Sequence, residues 1–95
     1  MAIINGKTST GFEWSVDSDI INSWEFVNYQ RKAASNDIDG GMDGIEFLLG
    51  SEQLSDLLAF HREKTGKRFV PMETIADEVG EITTALQTED ETKNS

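Results

Sequence analysis

A chain of 95 residues that is 37% hydrophobic, with two Trp and five Phe, has enough apolar mass for one folded domain with a modest core. Eighteen acids against eight bases set the net charge at −10, which excludes the basic footprint that nucleic-acid binding draws on and disfavours an anionic membrane surface. There is no cysteine for disulfides or thiolate metal sites, and no apolar run approaches the ~20 residues that span a bilayer.

The N-terminus, MAIINGKTST, lacks the basic start and apolar centre of a secretory signal, and the absence of cysteine makes a reducing cytoplasm the expected setting. From Ala2 to Val16 two short β-prone runs surround polar residues. Phe12, Trp14 and Val16 alternate with Glu13 and Ser15, the period of a half-buried strand. A two-stranded ribbon over residues 1–16 is expected, turning at Asn5-Gly6 or alternatively at Thr10-Gly11. A lone hairpin is marginal in water, so its aromatic face must pack on helices.

Asp17, Ser18 and Asp19 can each cap a helix start. Ile20, Trp24, Val27 and Arg31 share a stripe, which predicts a helix over about 18–34 with Trp24 on its apolar side. SNDIDGGMDG, residues 35–44, then reads as a break in the chain. As a calcium loop it fails in both registers. Counting from Asp37 leaves Gly41, Met42 and Leu48 at positions 5, 6 and 12, and counting from Asp39 leaves Gly41 at 3 and Gly50 at 12. A flexible interhelical joint, with Asp39 or Asp43 capping the next helix, is the expectation.

A short helix is predicted over 42–49, and Gly50-Ser51 punctuates it, with Ser51 as the next N-cap. Leu54, Leu57, Leu58 and His61 recur at i, i+3, i+4 and i+7, and Gly66 closes this third helix with Arg62 and Lys64 in its last turn. Pro71 can open a fourth helix, along which Met72, Ile75, Val79, Ile82 and Leu86 form a heptad-like seam. The polar stretch 88–95 is expected to fray, which leaves 1–87 as one mainly α domain of about four helices with a small N-terminal hairpin.

Two groups of side chains are candidates for partner binding. The first is apolar: Leu54, Leu57 and Leu58, together with Met72, Ile75, Val79, Ile82 and Leu86, serving either as core or as a face for self-association or helix docking. The second is the basic cluster Arg62, Lys64, Lys67 and Arg68, which reads as a solvated helix end or as a contact for an acidic partner. His61 is the only histidine and reads as a packed or boundary residue, since one histidine makes neither a metal site nor a triad. With no phosphate-binding glycine loop and no nucleophile elbow, neither an enzyme nor a cofactor is expected.

The order of these features, ending in FLLGSEQLSDLLAFHREKTGKRFVPMETIADEVGEI, resembles the small tail assembly chaperones of long-tailed siphophages infecting Gram-positive bacteria, over about residues 17–95. The ending TKNS resembles that of their short, non-frameshifted product. The resemblance implies a cofactor-free homo-oligomer that coats the tape measure protein and keeps it soluble. A longer frameshifted form would recruit the major tail protein. Such a chaperone works in the host bacterial cytoplasm and is absent from the mature virion. Two other classes remain open: an acidic DNA mimic that inhibits a host nucleic-acid-binding protein, and a structural oligomerisation module of the virion.

Overall fold

A computed structural model of the chain describes residues 2–94, with side chains described through Thr88. Strands β1 (Ile3–Lys7) and β2 (Glu13–Asp17) pair antiparallel, with Gly6 opposite Trp14 and Lys7 opposite Glu13. A 3₁₀ turn over Ser18–Asn22 follows, and then helices α1 (Trp24–Ala34), α2 (Ile38–Leu49), α3 (Ser51–Thr65) and α4 (Met72–Asn94). The expected class, mainly helical with a small N-terminal hairpin, is the one observed.

The hairpin turns at the second of the two expected positions. Thr8 N–H donates to Phe12 O and Gly11 N–H to Thr8 O, both at 2.9 Å, with Gly11 at φ 103°. This is a three-residue loop whose last residue needs positive φ, a demand that Gly11 meets. Asn5-Gly6 lies inside β1 instead. Gly6 serves the packing there, because any Cβ would run into the Trp14 ring lying across the strand. Phe12, Trp14 and Val16 are buried, as their alternation predicts. The outer edge of β2 is closed by a side chain. Gln53 accepts from Ser15 N at 2.8 Å and donates to Ser15 O at 3.1 Å, which satisfies an edge that would otherwise invite another strand.

The single helix expected over 18–34 is two elements. Asp17 caps the 3₁₀ turn by accepting from Asp19 N at 3.0 Å. Ser23 is extended, and its hydroxyl accepts from Phe26 N at 3.1 Å, so α1 starts afresh at Trp24. The restart changes the phase of the stripe. Phe26 faces the core, while Trp24 is 78% exposed and Val27 is exposed too, contrary to the expected apolar face.

The largest departure is at residues 35–44, which form no flexible joint. Asn36 adopts a left-handed conformation (φ 66°), Asn36 N–H donates to Ala33 O, and Asp37 N–H donates to Lys32 O. That pair of bonds is the Schellman closure of a helix. Asp37 then caps α2 by accepting from Gly40 N at 3.0 Å, so α2 begins at Ile38 rather than near Met42. The glycines sit within the helix, where they let it lie against α1. A Cβ on Gly40 would come within 2.6 Å of Lys32 Cβ, and one on Gly44 within 2.8 Å of Tyr29 Cβ. Helices α1 and α2 therefore form a tight antiparallel hairpin.

Gly50, at φ 82°, ends α2 and starts α3, so Ser51 is the first helical residue and not the expected cap. Gly66 closes α3 in the left-handed region, as expected, with its N–H on Arg62 O at 2.8 Å. Helix α4 starts after Pro71, whose carbonyl accepts from Thr74 N. Its backbone continues through Asn94, past the boundary expected after residue 87, since no Gly or Pro interrupts that stretch. The expected tail side chains from 89 on, and Ser95, lie outside the described residues. Leu57, Ile82 and Leu86 are fully buried at the centre, with Trp14, Phe26 and Leu48 around them.

Candidate docking groove

Four of the eight apolar candidates belong to the core: Leu57, Ile82 and Leu86 are at 0% exposure and Ile75 is at 6%. While this fold persists they have no surface to offer a partner. Leu54, Leu58 and Val79 are half-buried against that core, and Met72 alone of the eight is exposed. The seam along α4 is thus a core stripe with an open flank, and the flank borders a groove.

The groove lies between α1, α2 and α4 and encloses about 680 Å³. Phe26, Tyr29 and Ala33 contribute its α1 wall, and Ile38, Met42 and Ile45 its α2 wall. On α4 the surface is made by Met72, Ala76, Val79, Gly80 and Thr83. Small residues keep it open: a Cβ built on Gly80 would meet nothing within 4 Å. Large, flexible side chains stand at its edges, with Ile38, Met42 and Met72 all about half or more exposed. An apolar trough with an unbranched, adaptable Met on each side is a surface that can mould itself to a helix face.

Spacing carried a partial signal for this groove. Ala76 and Gly80 are four apart, as are Ile38 and Met42, so each pair shares a helix face. The signal was hidden because small residues read as neutral, and because Ile38 and Met42 fell in a segment that composition marks as a break.

The basic cluster does not reach the groove. Arg62, Lys64, Lys67 and Arg68 are all exposed at the end of α3 and beyond it. Lys64 Nζ donates to Thr10 O at 2.7 Å and lies 5.7 Å from the Phe60 ring centre, and Lys67 lies the same distance from Phe69. One member therefore ties the hairpin loop to α3, in line with a helix-end role.

That loop is held by a second polar centre. Ser9 N–H and its hydroxyl donate to the two carboxylate oxygens of Glu81, each at 2.8 Å. Thr10 Oγ1 donates to Glu78 Oε1 at 2.6 Å, and Glu78 is 1% exposed. His61 Nε2 lies 3.5 Å from the same oxygen and is itself buried. His61 thus has the acidic neighbour that its position in the sequence could not reveal. Among the described residues, His61 Nε2 and Glu78 Oε2 have no hydrogen-bond partner. The two groups are buried and line neither the groove nor the two depressions beside the hairpin, so their place in the fold is that of a buried tether.

The three aspartates of the glycine-rich segment are spread along α2. Asp37 is occupied as its cap, while Asp39 and Asp43 point to solvent. Among the described residues no cluster of three or more His, Cys, Asp or Glu side chains could hold a metal ion, and no helix is long and apolar enough to cross a membrane. No protein-family profile matches the chain, and no curated protein or solved structure shows detectable similarity to it.

Proposed function

We propose that the chain is a phage tail assembly chaperone whose groove receives an apolar helical segment of the tape measure protein and keeps it soluble until the tube forms. The observation that carries this reading is the groove itself. It is an open apolar trough edged by exposed Ile38, Met42 and Met72 on a chain with a net charge of −10. An apolar surface captures an aggregation-prone helix, and the charge elsewhere keeps the resulting complex dispersed. The resemblance of residues 17–95 to siphophage chaperones supplies the identity of the client. The work takes place in the host cytoplasm, in several copies, and involves no reaction and no cofactor. A longer frameshifted form would bring the major tail protein.

A DNA mimic is less well supported, because that class calls for few exposed apolar side chains, and Trp24, Ile38, Met42 and Met72 are exposed. The reading requires a tape measure gene in the same genome, and the test is co-expression of the chain with the product of that gene. The chain should raise the soluble fraction of that product and co-purify with it, and Gly80→Phe, which fills the groove from an open position, should abolish both effects. A client whose solubility is the same with and without the chain would overturn the reading.

A further inference from the structure

The groove has a charge pattern as well as an apolar floor. Asp39, Asp43 and Glu46 each follow a groove-lining residue of α2 by one position, and Glu73 and Asp77 do the same on α4. One residue is about 100° of helix, so these five carboxylates flank the trough rather than face into it. All five are exposed, and among the described residues none has an ion-pair partner. Neither α2 nor α4 from Met72 to Thr88 contains a single Lys or Arg. The bases nearest the trough are Arg31 and Lys32 in the last turn of α1, and the others among the described side chains lie on β1 and at the end of α3 and just beyond it. Unpaired like charges lining both sides of an apolar trough repel one another until something of opposite sign lies between them.

Resting on the docking role proposed above, we infer that the occupant of the groove is an amphipathic helix with an apolar face flanked by Lys and Arg. The lining of α4 runs from Met72 to Thr84, so at 1.5 Å per residue it seats about 18 Å of partner, roughly three helical turns. Leucine-type side chains of the partner fill the space over Ala76 and Gly80. Its flanking bases reach the carboxylates of α2 on one side and of α4 on the other. A second copy of this chain is a poorer occupant, because docking it by the same face would bring two acidic rims together.

Three fluorescent 18-residue peptides test this against the whole chain. The first has Leu along one helical face and Lys on its flanks, the second has the same Leu face with Glu on its flanks, and the third has the Lys composition with the Leu positions shuffled. Anisotropy should show the first binding roughly tenfold more tightly than either of the others at low salt. The ratio of the first to the second should fall towards one in 1 M salt, where the screening length is about 3 Å. The variant Asp39→Asn/Asp43→Asn/Asp77→Asn should lose most of the preference for Lys over Glu while keeping its circular dichroism, and Gly80→Phe should block binding. Equal affinity for the Lys and Glu peptides, both blocked by Gly80→Phe, overturns the inference and leaves the docking role standing. Equal binding of the faced and shuffled Lys peptides also overturns it, as attraction to net charge alone. Binding of every peptide unaffected by Gly80→Phe sinks both the inference and the docking role at this groove. A dimer in sedimentation that Gly80→Phe dissolves would assign the groove to a second copy and overturn the inference.

Discussion

Replacing a helical glycine with alanine ordinarily stabilises a helix by about 1 kcal/mol, because alanine has less backbone entropy to lose. Gly44 and Gly80 lie inside α2 and α4 respectively, yet their surroundings are opposite. A Cβ on Gly80 meets nothing within 4 Å, whereas one on Gly44 falls 2.8 Å from Tyr29 Cβ and 3.4 Å from Tyr29 Cγ. Carbon atoms rest at about 3.5–4.0 Å, so α1 and α2 would have to separate by roughly 1 Å to admit the new methyl. Tyr29 Cβ is fixed to the backbone and has no rotamer that relieves the clash. Overpacking of this kind costs about 1–3 kcal/mol. Subtracting one variant from the other cancels the entropy gain and isolates that cost. Gly80→Ala should therefore raise the urea midpoint and Gly44→Ala lower it relative to Gly80→Ala. With a slope of about 1 kcal/mol per molar urea, the two midpoints should differ by about 1 M or more. Gly41→Ala is an internal control, since its Cβ would sit 3.5 Å from Ala33 Cβ, an ordinary contact. If Gly44→Ala and Gly80→Ala stabilise the chain equally, the close crossing of α1 and α2 is wrong.

Leu57→Ala, at a fully buried position, should cost about 2–5 kcal/mol in chemical denaturation, while Trp24→Ala, at 78% exposure, should change stability by about 0.5 kcal/mol or less. Gln53→Ala removes both bonds to Ser15, so amide exchange at Ser15 should speed up while residues near Leu57 stay protected. In a double-mutant cycle, Thr10→Val and Glu78→Gln should be coupled by about 0.5–3 kcal/mol, and additive losses would show that the 2.6 Å bond between them contributes nothing net.

How much of this could be read from the chain depends on whether a residue's neighbours are local. Gly66 and Pro71 mark the boundary between α3 and α4 because termination and initiation are decided within a few residues. Alternation of Phe12, Trp14 and Val16 revealed the buried face of β2 for the same reason. Ser23 shows how a single polar side chain defeats periodicity. By capping a new helix it shifts the phase, and Phe26 rather than Trp24 turns inward. Glycine at 40 and 44 is a local helix breaker by propensity, but here the close packing it permits against Tyr29 and Lys32 outweighs that penalty. The groove was the least readable feature. Its walls come from three helices, and which flank of α4 stays open depends on where α1 and α2 settle.

The bonds that hold the Ser9–Thr10 loop to Glu78 and Glu81 join residues 68 and 72 positions apart. Loop closure over such distances is a late event in folding, so the two strands wait for α4 before these bonds can form. Until α4 arrives, the hairpin is held only by its own ladder, which is marginal in water, and by what Gln53, Phe60 and Lys64 of α3 lend it. Any fragment ending before Glu78 lacks the stretch of α4 that borders Trp14, so the Trp14 side of the ribbon should be more exposed in it. The ribbon thus reports, by its order or disorder, on whether α4 is in place.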